Sequence, residues 1–193
     1  SVSYDGYIGT QILHNRDRVS LTNADQFTML YNEQLKNANP TATEWVGDLL
    51  GGGTDWQSYI FRPAMVTNHG VSVSNSNEKA STVFSVGYFK QDGILNYNSY
   101  QRFNGRWAGD YTITKNMKIG GNVTLNRWDN TAATASVTNA VQALPTYSPY
   151  APEEDHDPQN IGSYYTPSPG IQKDVANPVA VMEINKGNSK SYG

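Results

Sequence analysis

The densest group of side chains suited to chemistry is Glu153-Glu154-Asp155-His156-Asp157. Hard cations such as calcium take several carboxylate oxygens, so a cation site is one reading of it. The run lacks the glycine-punctuated ligand spacing of a calcium loop, and a solvated acidic loop is the preferred reading. His14, His69 and His156 stand apart in sequence, with no pair at metal-ligand spacing. Gly51-Gly52-Gly53 is not followed by the Lys-Ser/Thr of a phosphate loop and reads as a flexible joint. Asp110 and Glu183 have no partner suited to glycoside hydrolysis, and no Gly-x-Ser-x-Gly motif occurs. The expectation is therefore no catalytic residue, no resident metal and no cofactor. Aromatic side chains are the better candidates for recognition, because a ring face stacks on a sugar or packs against a peptide. Tyr147 and Tyr150, in a proline-rich stretch, together with Trp128 and Trp56, are the candidate substrate or partner contacts, set against plain packing of loop on loop.

Composition narrows the class of protein that must position these rings. The 193 residues carry a net charge of −3 with a pI near 5.5, and no basic stretch stands out. Nucleic acid is thereby excluded as a partner. Only 16% of residues are charged, whereas Gly (17) and Tyr (13) are plentiful, a mix closer to an extracytoplasmic β protein than to a cytosolic enzyme. Cysteine is absent, which removes disulfide and thiolate chemistry. Mean hydropathy is −0.59, and no apolar run approaches the roughly 20 residues of a membrane helix. A barrel strand meets lipid only at every second residue, so low hydropathy leaves a β-barrel open. The chain reads as a piece of a longer polypeptide.

Alternation is the main structural signal. In the first strand, Val2, Tyr4, Gly6, Ile8 and Ile12 share one face, against Ser3, Asp5, Tyr7, Gly9 and Gln11. Phe84, Val86 and Tyr88 oppose Ser85 and Gly87. Phe103 to Tyr111 alternates Phe, Gly, Trp, Gly and Tyr with Asn, Arg, Ala and Asp. Met117 to Leu125 alternates Met, Ile, Gly, Val and Leu with Lys, Gly, Asn and Thr. Such a period of two belongs to strands. Tight turns are expected at Asn75-Ser76-Asn77-Glu78 and Thr114-Lys115-Asn116. Thr22-Asn23-Ala24-Asp25 reads as a helix start, with Thr22 capping, before the helically spaced Phe27, Leu30, Tyr31 and Leu35. A second short helix is expected from Thr43 to Leu50. Residues 129 to 180 read as an irregular, proline-punctuated loop.

Periodicity alone favours a soluble β-sandwich, whose strands also alternate. Three details turn the reading towards a membrane barrel. Aromatics (Phe103, Tyr111, Tyr88) sit towards strand ends on the apolar face, the second face is rich in Asn, Arg, Lys and Asp, and the connections alternate between short and long.

A series of motifs then carries a resemblance. Thr54-Asp55-Trp56-Gln57-Ser58-Tyr59-Ile60-Phe61-Arg62 with Asn68-His69 resembles a signature of the SusC/RagA family of TonB-dependent outer-membrane transporters of the Bacteroidetes. Ser85-Val86-Gly87-Tyr88-Phe89-Lys90-Gln91-Asp92-Gly93-Ile94, Phe103-Asn104-Gly105-Arg106 and Lys118-Ile119-Gly120-Gly121-Asn122 are similar to the family's following strands. Asn23-Ala24-Asp25-Gln26-Phe27 resembles its outer-loop helix, and Asn177-Pro178-Val179-Ala180 its later Asn-Pro element. The series covers most of residues 2 to 182.

The resemblance implies an all-β fold, part of a transmembrane antiparallel β-barrel of about 22 strands. About the first five of these would lie here, with a short helix in the first outer loop. Strand 1 is expected at 1–13, an outer loop with a helix at 14–67, strands 2 to 5 at 68–128, and a long outer loop with the start of the next strand at 129–193. The resemblance further implies an outer-membrane importer of oligosaccharides or oligopeptides. Its partners would be a SusD-like surface lipoprotein, the TonB complex (through parts outside this sequence) and outer-membrane lipid. The alternative is a secreted or surface β-domain that binds glycan or protein without transport.

Overall fold

The computed structural model describes residues 1–47, 49, 51–133, 137–151, 163–165 and 175–193. Two compact units emerge. A sheet unit comprises Ser1–Ile12, Pro63–Ala132 and Gly187–Gly193, and a loop unit comprises Leu13–Arg62 and Ala133–Lys186.

The sheet unit is a six-stranded antiparallel sheet in which each strand pairs with its neighbour in sequence. The strands are β1 (Val2–Gln11), β2 (Ala64–Ser76), β3 (Ala80–Asp92), β4 (Ser99–Thr114), β5 (Met117–Ala133) and β6 (Lys186–Tyr192). The sheet is not closed. Beyond the five strands expected to residue 128, the next strand is polar Lys186–Tyr192, paired with β5; Asn126 and Gly193 exchange both backbone bonds, at 2.6 and 2.9 Å. β2 starts at Ala64 rather than 68, since its pairing with β1 runs on to Gln11↔Ala64.

Register explains why the alternation survives across the whole sheet. Val73 pairs with Phe84, Phe84 with Trp107 and Trp107 with Val123, so one face collects apolar side chains from four adjacent strands. A slip by one residue at any step would mix the faces. The opposite face collects Ser72, Ser85, Arg106 and Thr124 by the same chain of pairs. At one end the strands turn tightly. Asn77 Oδ1 accepts from the backbone N–H groups of Lys79 (2.9 Å) and Ala80 (2.8 Å), and Lys115-Asn116 alone separates β4 from β5. At the other end the chain makes two long excursions, after β1 and after β5.

Those excursions form the loop unit, with helices α1 (Ala24–Ala38), α2 (Trp56–Ile60), α3 (Val137–Gln142) and α4 (Pro178–Ile184). The cap of α1 is Asn23, not Thr22. Asn23 Oδ1 accepts from Gln26 N at 2.9 Å while Gln26 Oε1 accepts from Asn23 N at 3.1 Å, a reciprocal box shifted by one residue from the expected one. No helix forms over the described residues between Thr43 and Leu49. The Asn32 amide holds both backbone groups of Trp45 (N at 2.7 Å, O at 2.8 Å), and this side-chain clamp displaces helical bonding there. Trp45 then stands edge-on to Phe27 and Tyr31. A helix appears instead at α2, where Asp55 Oδ1 accepts from the N–H groups of Gln57 and Ser58. Residues 129 to 180 likewise carry more order than expected, with β5 reaching Ala133 and α3 and α4 beyond it.

Candidate functional site

The apolar face of the sheet is the first surface suited to a function. Trp107 is 46% exposed, Ile119 61%, Val123 51% and Leu125 66%, so no second layer among the described residues covers them. A sandwich core would bury these residues. The stripe also has ends. Tyr88 pairs with Phe103, ring centroids 4.7 Å apart, and Tyr111 lies eight residues along β4 from Phe103. That span is about 27 Å along the strand, or about 21 Å along a normal at barrel tilt, comparable with the roughly 25 Å apolar band of a barrel wall. One row beyond Tyr88 and Phe103, the same face turns polar with Lys90, Gln101 and Asp129, Gln101 Nε2 donating to Asp129 Oδ2 at 2.9 Å. Beside them Arg127 lies over the Tyr192 ring at 5.3 Å. Apolar band, aromatic row and charged row follow in the order that hydrocarbon, interface and water demand.

The loop unit is the second such surface, and its core is a set of backbone carbonyls bound by side chains from elsewhere. Thr54 N and Oγ1 donate to the carbonyls of Pro145 (2.8 Å) and Tyr147 (2.6 Å), and Trp56 Nε1 donates to that of Leu144 (2.9 Å). Gly53 sits against this stretch with φ +68°, where a Cβ would overlap the Pro145 carbonyl oxygen and the Ala24 methyl. Gly51-Gly52-Gly53, expected as a flexible joint, has all three φ values positive, with space around Gly51 and Gly52 and close packing only at Gly53. Asn177 caps α4 with its carbonyl oxygen, while its Nδ2 reaches the carbonyls of Pro149 (2.7 Å) and Tyr165 (3.1 Å).

The four candidate aromatics fall in different settings. Trp56 and Tyr147 are buried in the loop unit, where both border a small void with Ala143 and Pro178, and Tyr147 stacks on Tyr165 at 4.9 Å. Tyr150 is 42% exposed and stacks on Tyr164 at 5.7 Å. Tyr164 Oη in turn donates to Glu183 Oε2. Burial, then the Glu183 charge, then Tyr59 hold the Tyr150 phenol above its ordinary pKa. Trp128 lies on the polar face of β5, paired with Arg102, and is part-exposed. The acidic run Glu153–Asp157 lies outside the described residues. Among the described residues, no group of three or more His, Asp and Glu side chains converges.

Sequence reading missed a cleft of about 500 Å³ in the loop unit, lined by Asn15, Arg18, Asn23, Phe27, Asp55 and Trp56 among others. Its size suits a small ligand. Arg18 is fixed beneath it: the Gln57 amide bonds both Val19 N (3.1 Å) and Val19 O (2.7 Å), and Arg18 N donates to Asn15 O (3.2 Å). Only the Asp55 in the Trp56 motif hinted at it, and Arg18 carries no local signature.

Alternating strands in sequential antiparallel order, an uncovered apolar face with aromatic ends, and tight turns opposite long excursions define part of an outer-membrane-type β-barrel wall. Comparison with known proteins agrees. No protein-family model matches the chain. The TonB-dependent receptor SusC of Bacteroides thetaiotaomicron is 26% identical over 214 aligned positions, covering all of this chain and 20% of that protein. TonB-dependent receptor P26 of Formosa agariphila is 28% identical over 131 positions, covering 68% of this chain and 12% of the receptor. TonB-dependent receptor P3 of the same organism is 33% identical over 70 positions, covering 36% and 7%. The chain is thus similar to SusC-like TonB-dependent receptors, and it spans a fifth or less of the length of these relatives.

Proposed function

We propose that this chain is part of the wall and outer loops of an active importer of large nutrients, oligosaccharides or oligopeptides, across the outer membrane. The uncovered apolar face carries the reading. Left in water, that much exposed Trp, Val, Ile and Leu would drive association, whereas hydrocarbon accepts it. The polar face would border an aqueous lumen. An open six-stranded edge in lipid leaves backbone groups unpaired at several kcal/mol each, so further strands must complete the barrel. The strand ends carrying the long excursions would face outward, and a SusD-like lipoprotein would close over them. TonB would supply energy through parts of the receptor outside this sequence. Trp56, Tyr147, Tyr150 and Trp128 are proposed as contacts for ligand or lid. Tyr150 and Trp128 would do so through exposed rings, and Trp56 and Tyr147 by fixing the carbonyls and rings around them.

Uptake of labelled oligosaccharides and oligopeptides by cells with and without the receptor, and with and without TonB, tests this reading. Receptor- and TonB-dependent uptake of one class is expected. Recovery of the receptor from the soluble fraction without detergent would instead support a β-domain that binds without transporting.

A further inference from the structure

We propose that the cleft around Arg18 binds an anionic sugar residue, with the acid group held by the Arg18 guanidinium. The reading of the chain as part of a nutrient receptor supplies the setting, but the chemistry rests on the cleft itself. The Arg18 side chain is 24% exposed, and its Nε is buried with no acceptor among the described residues. A buried donor on a charged group carries a desolvation cost unless an acceptor arrives. Asp55 does not meet that need. Its Oδ1 is committed to the N–H groups that open α2, and its Oδ2 stands 3.6 Å from Arg18 Nη1, longer than a charge-assisted hydrogen bond. The backbone that carries Arg18 is held by the Gln57 clamp on Val19 and by the bond from Arg18 N to the Asn15 carbonyl. A planar fork with a buried, unmet donor matches a carboxylate or a sulfate ester.

The remaining lining decides between sugar and peptide. Peptides are commonly held by main-chain hydrogen bonds. Here Val19 N and O are taken by Gln57, and the carbonyls of Leu144 and Pro145 by Trp56 and Thr54. The cleft is lined instead by Asn15, Thr22 and Phe27, residue types whose amide, hydroxyl and ring suit a pyranose.

Calorimetry on the detergent-solubilised full-length receptor tests the assignment with four probes: a uronic-acid oligosaccharide, a sulfated oligosaccharide, a neutral oligosaccharide and an acidic peptide. Binding of one of the two acidic oligosaccharides is expected, and which of them binds identifies the acid. Arg18→Gln should weaken that binding about tenfold or more while leaving any binding of the neutral probe unchanged. Asp55→Asn keeps the cap oxygen of α2 and removes the competing charge, so it should leave affinity equal or raise it, a result that misfolding cannot produce. Four results would each overturn the proposal: no binding of either acidic oligosaccharide, an Arg18→Gln receptor that binds as well as the parent, loss of binding in both variants, or Arg18-dependent binding of the peptide alone. TonB-dependent uptake, measured separately, stands or falls without reference to Arg18.

Discussion

Individual residues in the loop unit are held by geometry that small changes disturb. Gly53 combines φ +68° with a Cβ position already filled by the Pro145 carbonyl and Ala24, whereas Gly51 has φ +73° and open space around it. Gly51→Ala should therefore cost about 1–2 kcal/mol from backbone conformation alone. Gly53→Ala should cost more, because Pro145 must also move and the Thr54 bonds with it. Hydrogen exchange at residues 144 to 147 of the full-length receptor should rise in Gly53→Ala and change little in Gly51→Ala. Tyr150 gives a test by pH. The fold favours its neutral phenol, so its contribution to stability is whole below the ordinary tyrosine pKa of 10.0 and is lost as pH rises through the higher folded value. A tyrosinate difference titration between the parent and Tyr150→Phe should show one phenol with a midpoint above 10.0.

Strands, helices and turns differ in how plainly the sequence announced them. Alternation over Phe103 to Tyr111 and Met117 to Leu125 fixed both strand and face, because a period of two survives only in extended chain. Its energetic meaning is testable by a neighbouring pair on β5. Leu125→Arg, on the apolar face, should cost about 2–4 kcal/mol if it lies near the bilayer midplane. Thr124→Arg, on the polar face, should cost well under half of that. Urea unfolding of the receptor refolded into vesicles separates the two, and equal costs would contradict the assignment of faces. The strands and α1 were legible for a local reason; the structure of residues 43–49 and helix α2 were not. Trp45 lost its expected helix to an amide thirteen residues earlier in the chain, and Asp55 opened a helix in a stretch read only as a motif.

For the whole molecule, lateral completion and energy supply are the governing questions. The six strands pair in order of sequence, which makes every wall contact local in topology and leaves β1 and β6 as open edges within this chain. Further strands on both edges are required before lipid is tolerated. Under the proposed import, cells carrying the full-length protein should lose uptake when TonB is deleted while keeping surface binding of the same ligand, as measured with labelled substrate at low temperature. Uptake that persists without TonB would argue for passive passage instead.

By itself the sequence determined the strands, their two faces and the family resemblance, since each of these is written in neighbours one or two residues apart or in short motifs such as Asp55-Trp56 with Asn68-His69. The tertiary structure alone decided that the apolar face is uncovered, that Trp56 and Tyr147 bind or line a buried junction while Tyr150 and Trp128 keep exposed rings, and that Arg18 lies beneath a cleft. Exposure depends on what packs from elsewhere in the chain. The Thr54 and Trp56 bonds join residues about ninety positions apart, and no local pattern records such a partner.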